Sequence, residues 1–333
     1  MESRRRLLIV GAGGFIGGFI AAEALRRGFE TTVAVRASTS RSRLTDPALT
    51  FLVLDYDDPA QMADAIAEHH KWDYVIYNLG ATKCANFRDF NRVNFEYLRS
   101  FVTLLRESGR TPEKFIYMSS LSAVGPGDEK GYSPITEQSL PCPDTRYGLS
   151  KIKAEQWLEI ASGMPWIILR PTGVYGPHEQ DYLMMIKSID SHFDFGVGFR
   201  KQMLTFIYVE DLVQAMFAAL DKAPVKKRYN ISEPRAYTQA EFRAIVARLL
   251  GRKLVVPLRL PLWAVYAASA IAEKIAALRG KPSTLNRDKY NIMRQRNWTC
   301  STEAAAEDFG FVAMTSLEEG LRKTIDAYRA SKC

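Results

Sequence analysis

The chain has 333 residues, 47% hydrophobic and 25% charged, which suits one large core, or a main domain with a smaller appended one, under a water-facing surface. Its net charge is +8, but the basic residues are scattered and form no tail, which points away from nucleic acid and toward a surface that attracts a small anion. Cys84, Cys142, Cys300 and Cys333 show no CxxC or paired spacing, which fits free thiols in a reducing compartment and argues against a disulfide framework or a metal site.

The first element is "RLLIV", an apolar strand at 6–10 that runs into glycine. The preceding arginines imitate a twin-arginine signal. The apolar stretch is broken by Gly11, Gly13, Gly14, Gly17 and Gly18, however, so it reads as a strand and a glycine turn, and a cytoplasmic protein is expected. "GFIGGFIAAEALRRG" then reads as a helix ended by Gly28. "TTVAVR" and "LTFLVLDY" are strands, "PAQMADAIAEHH" a helix with Pro59 near its start, and "DYVIYNL" a fourth strand. A long helical segment over 86–108 leads to "KFIYMSS", helix 145–162 and the sixth strand "PWIILRP". Alternating, nearly all-apolar strands and helices imply right-handed crossovers and a parallel sheet covered on both faces. The expected fold is α/β, a Rossmann-type doubly wound sheet over 1–172, with a smaller, mainly helical substrate-binding cap over 173–333. A strand and helix near 203–221 are expected to return to the sheet. Helices are expected in the cap near 180–192, 210–221, 238–250, 260–279 and 316–330. The segment 260–278, "LPLWAVYAASAIAEKIAAL", is interrupted by Glu273 and Lys274. It falls short of the ~20 residues of a spanning helix, so a buried or substrate-capping helix is expected, not a stable membrane anchor.

The glycine turn carries the first chemistry. Gly11, Gly14 and Gly17 stand three apart, directly after the first strand and at the start of the first helix. Glycine permits a sharp turn and close approach of a pyrophosphate, and the helix N-terminus offers free N–H groups and a positive dipole end. Dinucleotide sites that take NAD(H) carry an acid at the end of the second strand for the ribose 2′-hydroxyl. No Asp or Glu lies between Glu30 and Asp46. Arg36, Arg41 and Arg43 stand there with Ser38, Thr39, Ser40 and Ser42. Cations and hydroxyls suit a 2′-phosphate, so NADP(H) is favoured over NAD(H). Asp55, after the third strand, is placed to accept from the adenine amino group or to serve as a turn aspartate.

The motifs "GAGGFIG" (11–17), "LDYDD" (54–58), "NLGAT" (78–82), Val93–Asn94, "YMSSLSAVGP" (117–126), "YGLSK" (147–151), "LRPTGVYGP" (169–177) and "FIYVEDL" (206–212) agree in kind and order. They resemble the extended short-chain dehydrogenase/reductase family, which includes NAD-dependent epimerases and dehydratases. The resemblance runs from residue 7 to about 220, and more loosely to the C-terminus. It implies a catalytic set of Ser120, Tyr147 and Lys151, with Ser122 the second candidate for the serine and Ser119 facing the sheet. Tyr147 is then the general acid/base. A free tyrosine has a pKa of ~10, and Lys151, one helical turn on, is expected to bring it down. The cofactor site implied is Gly11, Gly14, Phe15, Ile16, Gly17, Arg36, Ser38, Asp55, Tyr56, Leu79, Gly80, Ala81, Tyr147, Lys151, Pro171, Thr172, Gly173 and Val174. Thr82, Ser122 and Tyr175 are expected to face the substrate. Asn94 matches a structural asparagine, and Asp211 is expected to cap and anchor a helix.

The resemblance also bears on substrate. The nucleotide-sugar branch usually carries an arginine two positions before the aromatic of "FIYVED", as a diphosphate clamp. Leu204 stands there, with Arg200 and Lys201 nearby. "SSLSAVGP" and the apolar stretch 257–278 look more like the branch acting on hydroxysteroids, dihydroflavonols and related alcohols. Trp263 and Tyr266 are then pocket residues or ordinary helix packing. The expected activity is interconversion of a secondary alcohol and a ketone by hydride transfer. A nucleotide-sugar epimerase or dehydratase with tightly held NAD is the second reading, and a non-catalytic nucleotide-binding subunit the third. The expected partner is a small-molecule substrate, and the resemblance implies a homodimer paired through helices 86–108 and 145–162.

Overall fold

The computed structural model describes residues 4–278 and 285–330. Six strands follow the apolar runs: β1 (Arg6–Val10), β2 (Glu30–Val35), β3 (Thr50–Val53), β4 (Tyr74–Tyr77), β5 (Lys114–Met118) and β6 (Trp166–Pro171). Between them lie α1 (Phe15–Arg26), α2 (Pro59–Ala67), α3 (Phe87–Asn91), α4 (Tyr97–Glu107) and α5 (Arg146–Ala161). A seventh strand, Lys227–Ile231, completes a sheet ordered 227–231, β6, β5, β4, β1, β2, β3. Every pairing in it is parallel, as in Leu7–Val10 against Tyr74–Tyr77 and Thr31–Ala34. Side chains on successive positions feed two separate cores. Leu7, Ile9, Ile76, Ile116 and Ile167 face α1 and the helix Val209–Lys222. Leu8, Val10, Val75, Tyr77 and Phe115 face α4 and α5. Two-sided burial is why the strands read as unbroken apolar runs rather than alternating ones.

The chain order reverses between β1 and β4, the position where ligands bind doubly wound sheets, outside the carboxyl ends of the strands. Gly11, Arg36, Asp55, Leu79, Ser120 and Thr172 all follow those ends. The C-terminal half returns to the sheet more extensively than a return at 203–221. Helix Val209–Lys222 packs on α1, and helix Glu303–Phe309 packs on strand Lys227–Ile231. Strand Phe206–Tyr208 does not enter the main sheet; it pairs in parallel with Gly173–Tyr175.

The five helices expected beyond residue 172 form, and among the described residues Arg287–Arg294 and Glu303–Phe309 join them, with Val209–Lys222 and Glu303–Phe309 packed on the sheet side rather than in the cap. The cap is less purely helical than expected. Phe193–Val197 pairs with Val256–Leu260, and Met203–Leu204 is flanked by Tyr237–Thr238 and Asn297–Trp298. The helix Leu262–Leu278 is not buried. Among its described side chains only Val265 and Ser269 are enclosed, while Trp263 and Tyr266 are exposed. Among the described residues no helix is long and apolar enough to cross a membrane.

Candidate active site

The glycine turn has the shape the spacing requires. Gly11 sits at φ +84°, and a Cβ there would lie 2.7 Å from the Leu79 backbone nitrogen, so β1 and the turn after β4 touch through backbone. Gly14 caps α1 with no side-chain hydrogen bond, and the first turn holds no acidic residue. The N–H groups of that turn, around Phe15, Ile16 and Gly17, are left for an anion. Thr39 and Arg43 close one side of the turn: a Cβ at Gly13 would strike Thr39 Cγ2 and one at Gly18 would touch the Arg43 stem. The loop after β2 therefore lies against the phosphate turn, with Arg36 and Ser38 exposed beside it and the Arg36 backbone nitrogen bonded to Thr39 Oγ1 at 3.1 Å. Arg41 lies 4.4 Å from the centre of the Phe51 ring. Across the turn, Tyr56 is buried and stacks on Tyr97 at 5.3 Å. Asp55 is exposed and accepts from the Asp57 backbone.

Leu79, Gly80 and Ala81 form the floor, and a π-helical turn over Arg92–Glu96 holds it in place. That insertion turns Asn94 inward. Its carboxamide accepts from Ala81 N at 2.8 Å and donates to Ala81 O at 3.0 Å and Ser150 Oγ at 2.9 Å. Gly80 leaves room for two side chains, since a Cβ would lie 3.1 Å from Lys151 Nζ and 3.2 Å from Asn94 Oδ1. Thr172, after β6, has a buried hydroxyl without a hydrogen-bond partner. Pro171, Gly173 and Val174 run beside it. An open helix N-terminus, a backbone-lined floor and an orphaned hydroxyl fit a dinucleotide.

The catalytic candidates converge at one end of α5. Thr145 caps this helix through the Gly148 nitrogen, which sets Tyr147 and Lys151 on one face. The Ser120 side chain lies near the Tyr147 phenol and pulls its pKa down, but burial outweighs it and pushes the phenol up to about 12. Lys151 Nζ donates to Met118 O at 2.8 Å. Burial lowers its ammonium to about 7, against an opposing pull from Glu155. The expectation that Lys151 draws the phenol down does not hold in this geometry: no cation acts on Tyr147, and desolvation dominates. Ser122 N bonds Ser120 Oγ at 3.2 Å, so the second candidate serine orients the first through its backbone. Ser119 faces the sheet and donates to Glu155.

Two residues here escaped the sequence. Glu155 and Arg170 are fully buried beneath the site, paired at 2.5 Å. The available signal was spacing: Glu155 is four residues after Lys151 and on the same helix face. Of the residues expected at the substrate, Thr82 is exposed beyond the floor and Ser122 is partly open. Tyr175 is elsewhere. It is 1% exposed, packed among Tyr182, Phe206 and Tyr208, with its hydroxyl toward Ser316 O. Asp211 does not cap its helix. It lies in the first turn and accepts from Thr315 N and Oγ1, tying down the chain before the last helix.

The fold and site define an NAD(P)-dependent enzyme of the extended short-chain dehydrogenase/reductase type. Residues 7–232 match the NAD dependent epimerase/dehydratase family, and the chain belongs to it. A ceramide reductase of Caulobacter vibrioides is 26% identical, over 99% of this chain and 96% of that protein. UDP-glucose 4-epimerase of Thermotoga maritima, solved with UDP-glucose, superposes with a TM-score of 0.79 at 20% identity, over 98% of this chain and all of that one. The Thermus thermophilus UDP-glucose 4-epimerase, solved with NAD, gives 0.77 at 20% identity over 98% and 99% of the two chains.

Proposed function

We propose that the protein reduces a ketone on an apolar, ceramide-class lipid to a secondary alcohol, with NADPH as the favoured reductant. The observation that carries this reading is the catalytic set: a tyrosine kept protonated by burial, set beside Ser120 and placed one turn before a buried lysine. A bound nicotinamide supplies the hydride. Ser120 orients the carbonyl oxygen, and Tyr147 gives its proton to the oxygen as negative charge gathers there. A phenol with a raised pKa is in the donating form across the neutral range, which suits reduction. Lys151, beside the floor at Gly80, is the residue that would hold a bound cofactor's ribose, and Asn94 keeps that floor in register. Arg36 and the hydroxyls of the loop after β2 favour a 2′-phosphate, since a carboxylate there would repel it.

The ceramide reductase likeness extends over nearly the whole chain, cap included, and supports the lipid substrate. Leu204 supports it too, because leucine gives a diphosphate no hydrogen bond. A nucleotide-sugar epimerase with held NAD is the second reading. Arg200, the cation nearest Leu204 in sequence beside Lys201, spends one guanidinium nitrogen on Glu129 O at 2.9 Å.

The test is a titration with NADPH and NADH, followed by turnover on long-chain keto lipids. NADPH should bind about tenfold tighter, as expected for a charge-assisted phosphate contact. Equal affinities, or protein that carries NAD through purification without exchanging it, would favour the epimerase. Tyr147→Phe should lower kcat by about a hundredfold or more. Unchanged turnover would remove both enzymatic readings.

A further inference from the structure

The helix Leu262–Leu278 turns its apolar side outward. Trp263 is 75% exposed, Ile271 58% and Leu278 89%, and Leu262, Tyr266 and Ile275 are exposed with them. A surface helix of a soluble domain has the opposite arrangement. The ribbon before it behaves alike. Asp194 on Phe193–Val197 points inward to Arg243 and Arg259, so Phe193 and Phe195, on the alternate face, point out with Val256 and Leu260 of the paired strand. Phe199, 76% exposed, follows the ribbon's end. The two surfaces are continuous through Leu260, Leu262 and Trp263, and a Cβ at Gly198 would lie 3.5 Å from Leu262 Cδ2.

Apart from the ion-paired acids, the charge around this face is positive. Arg200, Lys201, Lys253 and Lys274 are exposed along it. The acids nearby are engaged: Glu273 with Arg146 and Arg287, Asp190 with Arg252, and Asp194 with its two arginines. A second copy of the chain on this face would bring the same four cations onto the opposing surface. An anionic bilayer meets both properties, taking apolar side chains at the acyl boundary and cations at the headgroups.

We propose that this face docks the protein on the surface of an anionic membrane, with the helix Leu262–Leu278 lying in the interfacial plane. The inner side of the same helix reaches the catalytic helix. Glu273 pairs with Arg146, the residue before Tyr147, at 2.9 Å. Asp288, on the next helix, accepts from the Tyr147 backbone at 3.2 Å. The membrane contact and the catalytic tyrosine are thus joined through two packed helices. The docking face stands independently of the reductase reading; only the delivery of a lipid beside Tyr147 rests on it.

The test is co-sedimentation of the full chain with phosphatidylcholine vesicles, with and without phosphatidylglycerol. Binding should require phosphatidylglycerol, weaken with added salt and shift the emission of Trp263 to the blue. Ile271→Glu and Phe195→Glu should each lower the partition coefficient by about tenfold or more, since each replaces an apolar side chain buried at the interface with a charge. Lys274→Glu, a change at an exposed position, should lower it several-fold and flatten its salt dependence. Unaltered thermal midpoints and NADPH affinity would show that the variants remain folded. Equal partition of wild type and variants would overturn the proposal, as would absence from both vesicle types while Ile271→Glu splits a dimer in light scattering. Loss of activity on every ketone would remove the reductase reading and leave the vesicle result standing.

Discussion

Lys151 is 3% exposed, and its ammonium finds one backbone carbonyl and a shared carboxylate. Burial lowers its pKa from 10.5 to about 7. The unfolded chain therefore binds more protons than the folded one between these two values. By linkage, stability rises with pH across that interval, and the contribution is complete only above the unfolded value. Tyr147 adds little below about pH 9, because a free tyrosine keeps its proton until ~10; above that its raised folded value makes stability fall with pH. Lys151→Met removes the lysine's contribution. Urea unfolding between about pH 7 and pH 9.5 should give the wild type a gain of a few kcal/mol relative to the variant, since each pKa unit corresponds to about 1.4 kcal/mol. Parallel curves would mean that Lys151 titrates normally in the folded protein. The same lysine illustrates what sequence could and could not supply. Its spacing from Tyr147 is visible in "YGLSK", but its enclosure depends on the end of β5, where Met118 O accepts from it, and on the turn after β4, where Gly80 lies against it.

Among the elements, the π-helical turn at Arg92–Glu96 has the clearest function. One extra residue turns Asn94 so that a single carboxamide satisfies both polar groups of Ala81. Asn94→Leu would strand these groups at a cost of about 1–3 kcal/mol. It would also release Gly80 from its position against Lys151. Thermal unfolding and an NADPH titration together check this, with a lower midpoint and roughly tenfold weaker binding expected from the loss of a buried positioning contact. A lowered midpoint with unchanged affinity would confine Asn94 to stability. The six strands from "RLLIV" to "PWIILRP" were legible because two-sided burial writes them as apolar runs. The strand Lys227–Ile231 was not: "KRYNI" carries two cations and an asparagine, and it is a strand because β6 pairs with it. Phe193–Val197 and Val256–Leu260 depend on each other across the cap in the same way. Tyr175 shows a further limit. Its segment follows the family motif, yet the side a short strand turns to the core is settled by its partner Phe206–Tyr208, and that side is the aromatic cluster.

At the scale of the whole molecule, ion pairs around the catalytic helix join cap and sheet in addition to the apolar contact in which Phe15, Ile16 and Phe19 of α1 pack against the Tyr175, Phe206 and Phe242 cluster. Arg146 meets Glu273 at 2.9 Å and Asp288 at 3.8 Å. Lys83, after the β4 floor, and Lys289, in the cap, share Asp181 at 2.6 and 3.1 Å. Asp144 holds Arg294, with Gln295 on its other oxygen. Such contacts are individually weak when wet, but Arg146 and Glu273 are both largely enclosed, which raises their coupling above that of exposed pairs. They bear on function because Arg146 opens the helix that carries Tyr147 and Lys151. If the pair fixes the cap over the tyrosine, Arg146→Gln and Glu273→Gln should each raise KM for an apolar ketone several-fold and leave NADPH affinity unchanged, because the glycine turn lies at the far end of the site. The double variant should be no worse than the poorer single one, giving a coupling energy of about 1 kcal/mol in a double-mutant cycle. Additive losses would mean that the two side chains act separately. A fall in kcat at constant KM would place Arg146 in orienting Tyr147, with the cap held by other contacts. The cycle thus separates a cap that selects substrate from a helix end that aligns the acid, two roles the same guanidinium is positioned to serve.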